Sequence, residues 1–137
     1  MIPRTWTPKV VQGWEIFLPP PLNKKRKWLS LNDRNHWSKS SPLTRYWRQS
    51  AHDKVKELGM ATLEQAWVVG CFSFGDNRRR DVHNYMPTVK AAIDGCTDAG
   101  LWVDDRDGIL TGPDLRRFEV PKMVGLSLHV FEVIANV

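Results

Sequence analysis

The chain has 137 residues, 42% of them hydrophobic, and its 20 Lys and Arg outweigh 15 Asp and Glu for a net charge of +5. That length suits one domain with one core, and that apolar content excludes a disordered tail. Two cysteines without a CxxC spacing argue against a zinc finger, and no apolar run approaches the roughly 20 residues needed to span a bilayer.

The first element predicted is a strand over 8–18, where Trp14, Ile16 and Leu18 alternate. "PPPLNKKRK" ends it, prolines first and a basic loop after. "WLSLNDRNHWSKSSP" is polar and irregular and reads as an excursion over a binding surface. A helix is predicted over 42–58. Leu43, Trp47, Ala51, Val55 and Leu58 make its apolar stripe, Ser41 caps it with Pro42 at the first position, and Gly59 stops it. "AWVVGCFSF", 66–74, is a buried strand by its β-branched and aromatic content. A second helix is expected over 84–99, capped by Asn84 and ended by Gly100, with Pro87 in its first turn. Its apolar face is Tyr85, Val89, Ala92, Ile93, Cys96 and Ala99. "LWVDDRDG" is a short segment ending in an acidic turn. Strands at about 115–121 and 125–134 close the chain, with Gly125 in the turn between them. The order predicts a single α/β (α+β) domain with a mixed sheet and two main helices.

The excess of cations predicts an anionic partner, nucleic acid ahead of a membrane surface. Two thiols and a start without a long apolar core point to a protein of the reducing cytoplasm.

The chemistry concentrates in "RRRDVHN", 78–84. Either it is a solvated loop with incidental charges, or a metal ion meets a phosphate there. If Asp81-Val82-His83 is extended, residues 81 and 83 point one way and Val82 the other, so two donors can share one ion. "VDDRDG" adds Asp104, Asp105 and Asp107, whose mutual repulsion implies a cation or plain solvent exposure. It is not an EF-hand, because the alternating acids and distal Glu are missing. Lys90 and Asp94 stand four apart on the second helix and can pair across one turn; alternatively Lys90 neutralises charge on a reacting phosphate.

Taken in order, "RRRDVHN", a helical Lys90, "DG" and "AGLWVDD" resemble the core pattern of the RusA-type Holliday-junction resolvases, the crossover junction endodeoxyribonucleases. The match is tightest over 78–105 and looser at "LPPPLN", the helix at 42–58 and the closing strands. The resemblance implies a homodimer that cuts four-way DNA junctions symmetrically with a divalent metal, Mg2+ and, with a histidine present, Mn2+. It implies no small-molecule cofactor and no membrane partner, and it fits the cytoplasm of a bacterium or a phage-infected cell.

The resemblance also implies the site. Asp81 matches the family's first acid and Asp105 its last, with Asp104 beside it. His83 stands where the second acid belongs, as ligand, general base or bystander. Lys90 lies about three residues later than in the compact pattern, a rotation of about 300° and a rise of about 4.5 Å on a helix, so it faces much the same way. The metal set is therefore Asp81, His83, Asp104 and Asp105, and the catalytic set Asp81, His83, Lys90 and Asp105. Phosphate contacts are expected from Lys24, Lys25, Arg26 and Lys27, from Arg34, Arg45 and Arg48, and from Arg78, Arg79 and Arg80. Trp28 and Trp37 stack on unpaired bases or pack internally; Trp47, on the apolar stripe, belongs to the core. The alternative to an enzyme is a junction-binding protein that has kept the fold and lost cleavage through His83.

Overall fold

A computed structural model of the chain describes residues 9–22, 25–32, 41–118 and 123–134. Helix α1 spans Pro42–Leu58, the predicted range. Ser41 Oγ accepts the Thr44 N–H at 3.1 Å and Pro42 fills the first turn. At the other end Gly59 N–H bonds the Lys56 carbonyl at 3.1 Å and Met60 N–H the Val55 carbonyl at 3.5 Å, the paired bonds of a Schellman stop. Trp47, Ala51 and Val55 are buried as the stripe requires, but Leu58 is exposed.

The second helix starts later than expected. A 3-10 turn covers Val82–Tyr85 and helix α2 covers Met86–Asp98. Pro87 is the cause: it has no N–H for the carbonyl of His83, which takes the Met86 N–H instead and tightens the turn. Asp81 caps the 3-10 turn, its carboxylate accepting the His83 N–H at 3.0 Å, and α2 follows from Tyr85 with no side-chain cap, so the expected cap Asn84 serves neither. Asn84 offers its carbonyl to the Leu31 N–H at 2.8 Å. The buried face is broader than the predicted stripe and includes Thr88, Ala91 and Gly95. Gly95 lets α1 and α2 touch, since a Cβ there would lie 2.0 Å from the Arg48 carbonyl oxygen. Arg48 then clamps the pair, its guanidinium bonding both oxygens of Asp98 at 2.5 and 2.9 Å.

Among the described residues four strands form one mixed sheet: β1 Lys9–Leu18, β2 Ala66–Ser73, β3 Leu110–Arg117 and β4 Gly125–Ile134, in the order β1-β4-β2-β3. β4 is antiparallel to β1 and β2, while β3 runs parallel to β2 after the α2 crossover. The closing strands are thus not neighbours. β3 begins five residues before the predicted 115, and Gly125 opens β4 rather than lying in a turn. The sequence hid the start of β3 because Gly112-Pro113 reads as a turn. It is a bulge: Trp67 pairs with Thr111 and Val69 with Asp114, and the Trp67 indole N–H donates to Asp114 across the gap at 2.7 Å. Proline is tolerated there because β3 is an edge strand.

Both helices and the sheet share one core, in which Ile16, Leu18, Trp47, Val68, Phe72, Ile93, Leu101, Trp102, Leu126 and Leu128 are fully buried. No helix among the described residues is long and apolar enough to cross a membrane.

Candidate active site

The acidic segment is aimed by what precedes it. Gly100, at φ 81°, reverses the chain after α2, with Leu101 N–H bonded back to the Cys96 carbonyl at 3.1 Å. Leu101 and Trp102 are buried, and the Trp102 indole N–H donates to the Thr97 hydroxyl at 2.7 Å. With those anchors fixed, Val103 emerges 79% exposed and Asp104 and Asp105 follow at the surface. Asp104 accepts the backbone N–H of its neighbour Asp105 at 2.8 Å, just ahead of the turn at 107–109.

Lys90 projects from α2 onto this acidic segment. Its ammonium pairs with Asp94 at 3.1 Å, the predicted contact within the helix, and with Asp105, 15 positions away. Partial burial opposes the Lys90 charge, but hydrogen bonds to Asp105 and Asp94 outweigh it and hold its pKa above the ordinary lysine value. The Lys90 hydrogen bond likewise holds the Asp105 carboxyl below the usual aspartate range. Both groups are ionised at neutral pH.

Asp81 and His83 do not lie on an extended segment, because Val82 opens the 3-10 turn. The turn achieves what alternation was expected to do. Val82 packs against the core while Asp81 and His83 face solvent, with side chains 65% and 73% exposed. Asp81 Oδ1 lies 3.3 Å from His83 Nδ1, close to the ~3 Å between adjacent donors on one octahedral ion. Among the described residues no three His, Cys, Asp or Glu side chains form a ligand group. The four expected ligands stand as two pairs, Asp81 with His83 and Asp104 with Asp105. Each pair fits as donors; together they do not form one cage.

The arginine run divides. Arg80 folds inward with a side chain only 17% exposed. Its guanidinium bonds Asp76 at 2.6 and 3.2 Å and lies 4.4 Å from the Phe74 ring centroid. Arg117, from β3, sits over the same ring at 5.1 Å and donates to the carbonyls of Arg78 at 2.6 Å and Asp76 at 2.9 Å. Arg78 and Arg79 remain exposed. Sequence reasoning missed Phe74, Asp76 and Arg117. The Asp76–Arg80 spacing of four was a visible signal; Arg117 gave none.

Of the basic run, Lys25, Arg26 and Lys27 are exposed, while Lys24, Arg34 and Trp37 lie outside the described residues. Arg45 is exposed, but Arg48 is engaged by Asp98. Trp47 is core, as expected, and its indole N–H donates to the Lys27 carbonyl at 2.9 Å. Trp28 is partly buried and packs against the core: it stacks on Trp47 at 5.2 Å and meets Phe72 and Phe74 edge-on. One residue on, the Thr88 hydroxyl accepts the Leu29 N–H and donates to the Leu29 carbonyl, both at 2.8 Å. Residues 28–31 are thereby strapped to the start of α2, and the basic run leads directly into that strap.

No family model matches the sequence, and no curated protein matches it at a significant level.

Proposed function

We propose that the chain is a metal-dependent endonuclease that resolves four-way DNA junctions by paired phosphodiester hydrolysis. The observation that carries this reading is the meeting of Lys90 with Asp105, 15 positions apart, at the acidic segment that follows α2. An ammonium held against a carboxylate suits a site that must bind anionic phosphate and neutralise charge as it builds. The Asp81–His83 pair, with its oxygen and nitrogen donors side by side, or the Asp104–Asp105 pair would offer ligands to the ion. A divalent cation bound there supplies the Lewis acidity on which phosphodiester hydrolysis draws. Lys90 contributes the positive charge beside the reacting phosphate, and Lys25, Lys27, Arg78 and Arg79 engage the DNA backbone. Two symmetric strands to cut call for two active sites, and hence a two-fold homodimer, working in the cytoplasm of a bacterium or a phage-infected cell.

The test is a synthetic four-way junction incubated with Mg2+ and then Mn2+. Paired symmetric nicks are expected, and Asp81→Asn is expected to abolish them while leaving junction binding in place. A wild-type protein that nicks with neither ion refutes the enzyme. A second reading rests on His83, an imidazole paired with Asp81 where the family pattern has an acid: a junction-binding protein without cleavage. Preference for a junction over a linear duplex at fixed salt, without nicks, would select it.

A further inference from the structure

The loop between β2 and the 3-10 turn has no regular hydrogen-bond ladder, yet its backbone is held by ionised side chains. Arg78 is the centre. Its N–H donates to the Asp76 carboxylate at 3.0 Å, and its carbonyl accepts from the Arg117 guanidinium at 2.6 Å. Arg117 also donates to the Asp76 carbonyl, and Arg80 pins the Asp76 carboxylate through both its oxygens. Phe74, itself buried, carries both guanidiniums on its ring. A merely solvated loop would leave these backbone groups to water. Instead both polar groups of the Arg78 backbone are fixed by charges, and Arg78 and Arg79 point outward from a frame already ordered. A ligand that binds such a pair does not have to order the loop, and that saving appears as affinity.

We infer that Asp76 and Arg117 are positioning residues that preorganise Arg78 and Arg79 as a phosphate-gripping pair next to Asp81, the ligand being the phosphodiester backbone of DNA. The inference rests on reading the chain as a protein that acts on DNA, but not on its cutting DNA. It separates the three arginines: two contact phosphate, and Arg80 holds the frame.

A sign test distinguishes this from simple electrostatics. Asp76 is a carboxylate beside the proposed phosphate track. If it acts only through its charge, Asp76→Asn makes the surface more positive and binding tightens. If it positions the pair, Asp76→Asn weakens binding despite the added positive charge. The experiment measures affinity for a synthetic four-way junction and for a linear duplex of equal length, in EDTA, across a salt series. Arg78→Ala/Arg79→Ala should lower the slope of log affinity against log salt by about 1.8, at ~0.9 per lost phosphate contact. Asp76→Asn should weaken binding roughly 5-fold with a shallower slope, and Asp76→Glu should restore most of both. Tighter or unchanged binding by Asp76→Asn, or an unchanged slope in the double variant, overturns the inference.

Limited trypsin digestion gives a second measurement that does not depend on how the variants fold. The wild-type chain should resist cleavage after Arg78 and Arg79, where a frame of this kind denies the protease an extended backbone. Rapid cutting there in the folded protein also overturns the inference. A wild-type protein with the steep slope but no nicking activity removes the nuclease and leaves the positioned pair standing.

Discussion

Two ionic clusters, one around the loop that precedes the 3-10 turn and one on the helix that follows it, are built in opposite ways. In the first, Asp76, Arg80 and Arg117 interlock: guanidiniums mostly withdrawn from solvent bond two carbonyls and one carboxylate and share an aromatic ring. In the second, Lys90 reaches Asp94 and Asp105 with a side chain that is 55% exposed and bonds only carboxylates. A planar fork fixes geometry through several directed bonds; an ammonium on a four-carbon stem is a point charge that can change partners. The first cluster is a frame. The second is a half-exposed cluster of charges that can exchange partners.

The sharpest contrast is in activity. Asp105→Asn should lower junction cleavage by at least ~100-fold, the upper range for disturbing a metal ligand's surroundings, with a chemical-denaturation midpoint close to wild type. An active Asp105→Asn enzyme would erase the distinction between site and frame. The frame should show the reverse: Arg117→Ala should cost about 2 kcal/mol in urea denaturation, through two lost carbonyl bonds and a lost ring contact. Arg117→Lys should recover less than half of it, since an ammonium cannot reproduce the fork. Equal stability losses in Arg117→Ala and Lys90→Met would break the comparison, because the exposed Lys90 pairs should contribute less than ~1 kcal/mol.

The smallest effect is in pH dependence. The Asp105 carboxyl is held below its unfolded value chiefly by the Lys90 hydrogen bond. A depressed carboxylate stabilises the fold above its unfolded pKa, and that contribution is lost as pH falls through the folded pKa. The stability difference between wild type and Lys90→Met should therefore be flat from about pH 5 up to the range where lysines titrate, and shrink steadily below it. A difference that grows on acidification would reverse the assigned cause.

What could be read from the sequence was what is local. Helix α1 was legible to the residue because Ser41, Pro42 and Gly59 act within one turn of where they stand. The start of α2 was misread because Pro87 acts backward, on the carbonyl of His83. The sheet order was not legible, since nothing in β3 or β4 states which edge of β2 each will take. In the site, the order of motifs implied that Lys90 and Asp105 belong together. The inward turn of Arg80 left a local signal, Asp76 four positions before it, but the anchoring of the Arg78 carbonyl could not be read, because it comes from Arg117, about 40 positions downstream. Trp28 was ambiguous for the same reason: its partners Trp47, Phe72 and Phe74 come from α1 and from β2 with the residue after it.

The strap at Leu29 is fastened by a single hydroxyl. Thr88, fully buried, supplies both the acceptor and the donor that the Leu29 peptide groups need. One oxygen cannot release half of that arrangement without stranding a polar group away from water, so detachment is all-or-none. Just upstream, the Lys27 carbonyl is held by the Trp47 indole of α1. A load applied to the basic run is therefore shared between the two helices, through Trp47 on one and Thr88 on the other.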